Sequence, residues 1–350
     1  MNFPRTRALL HAAVAERATP AVTIEVGRAS GMLWTHAAGT LTYDADSSAA
    51  HVNTIFDLAS LTKPLATGSL LMQHVRGGRL DLDAPIADVL PAWSDAAHRR
   101  ITVRHLLDHS SGLPAHARFW EHARGESAYA EAIHAQPLDR APGTTAVYSD
   151  MGFIVLGFLI ERIGGASLEA QFNALRLDSE GELGFLPPPS LLDRCAPTEF
   201  DPWRDRLLRG EVHDENAAAL GGIAGHAGLF GTATAVGSFA QLVLRTFRED
   251  TALGTPALMR VFAAESSVPG SSRALGWDRM RPSSSCGTRL SASAIGHTGF
   301  TGTSLWIDPD RDRYIVLLSN RVHPTRENQT FVSLRPRIHD AVAEDLGHGT

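Results

Sequence analysis

An α+β fold is predicted by three observations. Segments of strand type occur only towards the two ends of the chain: AVTIEVGR (21–28) with MLWTHAAG (32–39), and SLWIDPD (304–310) with RYIVLLSNR (313–321). The stretch between them reads as helix and loop, without alternating strand–helix–strand units. Each terminal strand pair is joined by a short turn, which marks antiparallel hairpins. The expected architecture is an antiparallel sheet built from both termini and flanked by helices, with a largely helical inserted lobe. The expected division is 1–75 with 240–350 for the sheet lobe and 76–239 for the helical lobe, the two forming one integrated unit.

The elements follow in order. Arg5 and Arg7 ahead of ALLHAAVA imitate a short signal peptide, but His11 and Glu16 interrupt the apolar run. Leu10, Val14 and Arg17 fall at helical spacing, so residues 4–17 are read as a first helix and the protein as cytoplasmic. A helix is predicted from Leu61 to Val75, stopped by Gly77-Gly78. ITVRHLLDHSSGL (101–113), SAYAEAIHA (127–135) and MGFIVLGFLIERIGG (151–165) supply the helical middle. Pro187-Pro188-Pro189 opens an irregular stretch reaching to about Gly222. Amphipathic helices are expected at 232–247 and 328–346.

Composition narrows the function classes. The 350 residues carry a net charge of −6 with 43% hydrophobic and 20% charged residues, an ordinary globular balance. That balance lacks the basic face a nucleic-acid binder needs. No run of 18 apolar residues occurs, so no membrane span is expected. Two cysteines, Cys195 and Cys286, are too few for a disulfide framework or a four-cysteine metal site. Among 16 histidines, His105 and His109 stand four apart in HLLDH, without the glutamate of H-E-x-x-H. Neither metal nor cofactor is expected. The G-x-S-x-G elbow of α/β-hydrolases is missing too, since GRASG (27–31) has the wrong spacing.

Of 32 Lys+Arg residues, 31 are arginine; the single lysine is Lys63, three residues after Ser60 in FDLASLTK. A lysine, pKa about 10.4, can be brought towards neutrality and accept a proton, which a guanidinium cannot. At the start of the predicted helix, Ser60 could simply be an N-cap. The same position offers free backbone N–H groups for a developing oxyanion, with Lys63 one turn on. Tyr148-Ser149-Asp150 leads into the helix at 151–165, where Asp150 could be a cap. His297-Thr298-Gly299 forms a glycine-rich turn ahead of a strand.

In this order and spacing these residues resemble the penicillin-recognising serine hydrolases, with their S-x-x-K, Y-x-N or Y-S-x, and K/H-T-G motifs. Class C β-lactamases, DD-peptidases and family VIII esterases belong to that superfamily. GRLDLDAPIADVLP, TVRHLLDHSSGLP, PGTTAVYSD and HTGFTGTSLWIDP are similar as well, so the resemblance spans about residues 20 to 340. It implies a β-lactamase/transpeptidase-like fold. It also implies an acylated nucleophile, Ser60, a proton acceptor, Lys63, and a proton-transfer partner, Tyr148. The backbone N–H groups of Ser60 and Phe300 would form the oxyanion hole, and Asp150, His297, Thr298 and Gly299 would line the substrate cleft.

Two departures bear on specificity. Asp150 stands where many members carry asparagine, and a carboxylate cannot donate to a substrate carbonyl. If it reaches Lys63 it favours the ammonium and shifts the work of base towards Tyr148. His297 replaces a lysine, which weakens the anchoring of a substrate carboxylate there. GEVHDENAAALGGIAGHAGLFG (210–231) is similar to a subgroup that includes cytosolic muropeptide amidases. On that likeness His213, Asp214, Glu215 and Asn216 would line the pocket, although Asp214 could equally cap a short helix. The expected activity is acyl-enzyme hydrolysis of an ester or amide, with N-acetylmuramyl-L-alanine peptides the sharper expectation. A β-lactamase or DD-carboxypeptidase is the alternative, and a catalytically silent binding protein of the same fold a third. Nothing in the sequence sets the oligomeric state.

Overall fold

The computed structural model describes residues 2–178 and 181–347. Six strands form the main sheet: β1 Ala21–Arg28, β2 Gly31–Gly39, β3 Asp278–Arg279, β4 Ile295–Thr298, β5 Ser304–Asp308 and β6 Arg313–Ser319. Their spatial order is β2-β1-β6-β5-β4-β3, and every pairing is antiparallel. The chain's two ends meet at the sheet centre, where β1 pairs β6 from Val22↔Ser319 to Gly27↔Tyr314.

The sheet is buried on both faces, and the two-residue period of β6 divides its side chains between them. Ile315 and Leu317 join Leu10, Ala13, Ile338 and Val342 of α1 (Pro4–Ala15) and α5 (Thr330–Asp345). Val316 and Leu318 join the larger core with Val236, Phe239 and Val243 of α4 (Ala233–Thr246). A stretch that lies in the sheet centre with both faces covered reads as a continuous apolar run, which is why 313–319 is so legible. Helix α4 straddles the expected lobe boundary at 239/240 and packs against β1 and β6 as one piece.

Two predicted elements differ in form. The expected helix from Leu61 to Val75 is divided: a 3₁₀ turn at Ala59–Leu61, a π-helical stretch at Lys63–Gly68, then α2 at Ser69–Arg76. Pro64 lacks the N–H that a regular α-helical ladder would use, and the widened turn follows it. The stretch 101–113 is helical only over Val103–Leu107, where Thr102 and His105 form a capping box. Helix α3 (Asp150–Gly164) is capped by Ser149, whose Oγ accepts from the Gly152 N–H, so Asp150 is free for another task. Among the described residues no single helix is long and apolar enough to cross a membrane.

Candidate active site

The local backbone around Ser60 is set by Asp57. One of its carboxylate oxygens accepts the Ala59 N–H at 2.8 Å and the other the His213 N–H at 2.6 Å. Ala59 adopts φ +48°, a left-handed conformation uncommon for a residue with a Cβ, and delivers Ser60 at the sharp turn. The turn after β4 is stitched to the same segment: Thr301 donates to the Asp57 carbonyl at 2.7 Å and Thr303 to the Leu58 carbonyl at 3.0 Å. Gly299 is required there, because a Cβ would lie 2.0 Å from Thr303 Oγ1 and 2.6 Å from the Leu58 carbonyl.

Four predicted residues converge. Ser60 Oγ receives Lys63 Nζ at 2.9 Å and the Tyr148 hydroxyl at 2.9 Å. Lys63 Nζ also donates to Asp150 Oδ1 at 2.7 Å and to the His226 carbonyl at 3.2 Å. The three donors of an ammonium are thereby all occupied. Ser60 Oγ is an acceptor in this cluster and not a helix cap, since neither its 3₁₀ turn nor the π-helical stretch has a side-chain cap bond.

The electrostatics favour an ionised lysine. Lys63 is wholly buried, which opposes its charge, but Asp150 and Tyr148 outweigh that penalty and raise its pKa. Burial would raise the Asp150 pKa, yet the adjacent Lys63 holds it far below the usual carboxylate range. Burial raises the Tyr148 pKa against the pull of the Lys63 charge, leaving a neutral phenol at rest. His116 Nδ1 stands 3.8 Å from Asp150 Oδ2, and that carboxylate raises the His116 pKa.

These groups open into a cavity of about 970 Å³, whose lining also includes His297, Thr298, Gly299, Phe300, His213 and Asp214. His297 lies at the end of β4; its Nδ1 bonds the Thr298 carbonyl at 2.8 Å, and burial pushes its pKa down to about 3. It is a neutral imidazole. His213 is held by Glu199 at 2.8 Å and stacks on the Phe300 ring. Asp214 both caps the short helix Glu215–Ala219 and accepts from His226 Nε2 at 2.8 Å. Asn216 is the exception among the expected cleft residues. It is buried, its amide donating to the Ala117 carbonyl and its oxygen accepting from Tyr129, so it braces the wall and does not face the cavity.

Sequence reasoning missed three supports. Asp57 shapes the turn before Ser60, and the FD preceding S-x-x-K was its only trace. Buried His109 accepts the Ser149 N–H at 3.1 Å and packs its ring 4.6 Å from Tyr148, so it is not a solvated histidine. His226 acts through its carbonyl, for which a sequence carries no signal. Away from the cavity, Asp95, His98 and His134 each place one donor atom within 4.8 Å of the others. Asp95 bonds both imidazoles there, at 2.9 and 2.7 Å, while the buried His98 Nε2 has no partner among the described residues.

With this geometry in place, comparison with known proteins is decisive for the family. The beta-lactamase family model matches residues 6–334. The chain belongs to the beta-lactamase family. It is a serine hydrolase by that membership. N-acetylmuramyl-L-alanine amidase of Bacillus subtilis (strain 168) is 33% identical over 304 residues, covering 77% of this chain and 68% of that protein. A protein of Escherichia coli (strain K12) assigned as a D-alanyl-D-alanine carboxypeptidase is 32% identical over 314 residues, covering 78% and 70%. The structure of EstCE1, a hydrolase with promiscuous acyltransferase activity, superposes with a TM-score of 0.76 at 21% identity and covers 97% of both chains. At that identity it speaks for the fold alone.

Proposed function

We propose that this beta-lactamase family member hydrolyses amides of the N-acetylmuramyl-L-alanine type, through an acyl-enzyme on Ser60. The observation that carries the reading is the double contact on Ser60 Oγ, with Lys63 Nζ and the Tyr148 hydroxyl both at 2.9 Å. The 33% identity to the Bacillus subtilis amidase supports the amide class, as does the neutral His297 in place of a cation. A β-lactamase or DD-carboxypeptidase is the second reading, favoured by the 32% identity to the Escherichia coli protein. The sheet lobe and the helical lobe act as one catalytic unit, with the cavity between their residues. A cytoplasmic location fits the packing of α1, whose Leu10 and Ala13 are wholly buried, so its removal would unroof the core.

The proton inventory defines the mechanism. Lys63 is an ammonium and Tyr148 a neutral phenol, so neither is a free base at rest. A relay through Tyr148 satisfies both conditions. As Ser60 Oγ bonds to the acyl carbon, its proton passes to the Tyr148 oxygen, while the phenolic proton of Tyr148 passes to the leaving nitrogen. The bond from acyl carbon to nitrogen then breaks, and the amine departs neutral. Deacylation runs the same relay in reverse, with water giving its proton to Tyr148 and Ser60 Oγ recovering one. Lys63 stays charged and stabilises the negative charge developing on Ser60 Oγ. The N–H groups of Ser60 and Phe300 take the carbonyl oxygen, each donor worth about 3–4 kcal/mol in the transition state.

The test is a side-by-side assay of N-acetylmuramyl-L-alanine peptides, p-nitrophenyl acyl esters and a chromogenic cephalosporin, together with fluorophosphonate labelling followed by mass. The expected outcome is one adduct on Ser60 and the highest kcat/KM on the muramyl amide. Cephalosporin turnover far above the other two would replace this reading with the second. An adduct that survives Ser60→Ala would remove the hydrolase mechanism altogether.

A further inference from the structure

Outside the catalytic cavity, two imidazoles and a carboxylate converge on one point. Asp95 and His98 follow the 3₁₀ turn Pro91–Trp93, and His134 ends the helix Gly125–His134. Asp95 Oδ2 stands 2.9 Å from His98 Nδ1 and 2.7 Å from His134 Nε2. One donor atom of each residue lies within 4.8 Å of the others, and none of the three residues lines the cavity. Other imidazole–carboxylate contacts in the chain are of a different kind. His213 meets Glu199 and His226 meets Asp214, one ring to one carboxylate. Here two rings share a single oxygen.

The three side chains are held ready by their surroundings. The main-chain N–H groups of Ala97 and His98 donate to Asp95 Oδ1 at 2.8 and 3.2 Å, which turns Oδ2 towards the rings. Hydrogen bonds from His134 and His98 hold the Asp95 carboxyl well below the usual carboxylate range, so it is an anion. Buried Trp93 stands T-shaped against both rings, 5.2 Å from His98 and 5.4 Å from His134. His98 Nε2 is buried without a partner among the described residues, so this ring makes its polar contacts through Nδ1. His134 sits in the last turn of its helix, where the partial negative charge of the free carbonyls favours a cation. The Asp95 and His134 side chains are 41% and 33% exposed, which gives an ion a way in and leaves a side open to solvent.

The donor set selects the metal. Two imidazole nitrogens and a carboxylate oxygen suit zinc, whereas calcium and magnesium take oxygen ligands. Ligand atoms around tetrahedral zinc stand ~3.3 Å apart, so the two contacts on Oδ2 need to open by only ~0.5 Å. Rotation of the two exposed side chains supplies that movement.

We propose that Asp95, His98 and His134 form a zinc site, completed by solvent, that fastens the end of helix Gly125–His134 to the loop carrying Asp95 and His98. The same helix carries Tyr129, whose hydroxyl donates to Asn216 behind the cavity wall. The ion therefore braces the scaffold and takes no part in the chemistry at Ser60, and the site stands independently of the acyl-hydrolase reading.

The test is calorimetric titration of the chelator-stripped protein with Zn²⁺, and separately with Ca²⁺ and Mg²⁺. One Zn²⁺ per chain is expected. His134→Gln and Asp95→Ala, both at exposed positions, are each expected to weaken zinc binding at least ~100-fold, since even an outer-shell partner of a ligand is worth about 10- to 100-fold. Zinc is expected to raise Tm of the native protein and to leave Tm of His134→Gln unchanged. His11→Gln is the control, because His11 and His36 form a separate imidazole pair at 3.3 Å. Its affinity is expected to match the native value. A titration without one-to-one uptake of zinc would overturn the site, as would native affinity in the two ligand variants. Loss of affinity in His11→Gln instead would assign the ion to the other pair. Tighter binding of Ca²⁺ or Mg²⁺ would overturn the metal class, and an equal Tm gain in His134→Gln would overturn the fastening role. Turnover of p-nitrophenyl esters is expected to be the same with and without zinc; a dependence on zinc would refute its placement outside the chemistry.

Discussion

The serine end of the cavity, with Lys63, and the arginine end, lined by Arg321 and Arg335, both bury cations, and they treat them in opposite ways. At the serine end, each donor of Lys63 meets an acceptor, and its charge is matched by Asp150 at 2.7 Å. At the arginine end, Arg335 meets none among the described residues. A satisfied cluster is rigid before substrate arrives, which is what transition-state stabilisation requires. An unsatisfied buried cation lowers the stability of the fold. One end is organised before substrate arrives, and the other holds a buried charge without a counter-ion.

Removing the proposed nucleophile should have the largest effect. Ser60→Ala is expected to lower kcat/KM on any accepted ester by ~10⁴-fold or more, the scale seen when a nucleophile acting in a unit is deleted. Residual turnover near that of the native protein would erase the distinction between the two ends. Breaking the ion pair comes next. Asp150→Asn leaves Lys63 buried without its carboxylate and should cost about 3–5 kcal/mol in urea unfolding, because Lys63 is wholly buried and the Asp150 side chain is only 20% exposed. The same substitution should lower the Lys63 pKa, moving the alkaline limb of the kcat/KM profile to lower pH. An unmoved limb would mean that Lys63 does not act as an ammonium.

The pair also sets a pH window for stability. Asp150 is depressed in the folded protein, so its contribution is present above about pH 4 and is lost as pH falls towards its folded value. Lys63 is raised, so its contribution is complete below about pH 10 and is lost as pH rises through its folded value. Urea unfolding of native protein and Asp150→Asn should therefore differ by a constant amount across neutral pH and converge at strong acid. A smaller effect is expected of Gly299→Ala. Displacing Thr303 and the Leu58 carbonyl should cost about 1–3 kcal/mol. It should also reduce kcat more than it changes KM, because the Ser60 turn is displaced. The smallest kinetic effect belongs to Asn216→Ala, which leaves Tyr129 without its side-chain acceptor. It should lower Tm while kcat/KM stays within about threefold, since surface and bracing contacts act through stability.

The fold was legible because its strands are written in unambiguous patterns. The β-branched run at 21–28 and the apolar run within 313–321 both appear where read, as Ala21–Arg28 and Arg313–Ser319. The short strands Ile295–Thr298 and Asp278–Arg279 were not legible, since four and two residues give too little periodicity. The order of Ser60, Lys63, Tyr148 and His297-Thr298-Gly299 announced the candidate site. Its supports did not announce themselves, because His226 contributes a carbonyl that any residue has. Arg335 is one arginine among 31, and only its burial without a partner among the described residues makes it distinctive.

The solitary lysine has a practical consequence. In a protein grown with ¹⁵N-labelled lysine, the side-chain amine gives one resonance, and that resonance needs no assignment. Its proton occupancy can be followed directly through a titration, in the resting protein and again with an acyl group on Ser60. A composition that removed every other lysine has left a reporter isotope at the centre of the chemistry.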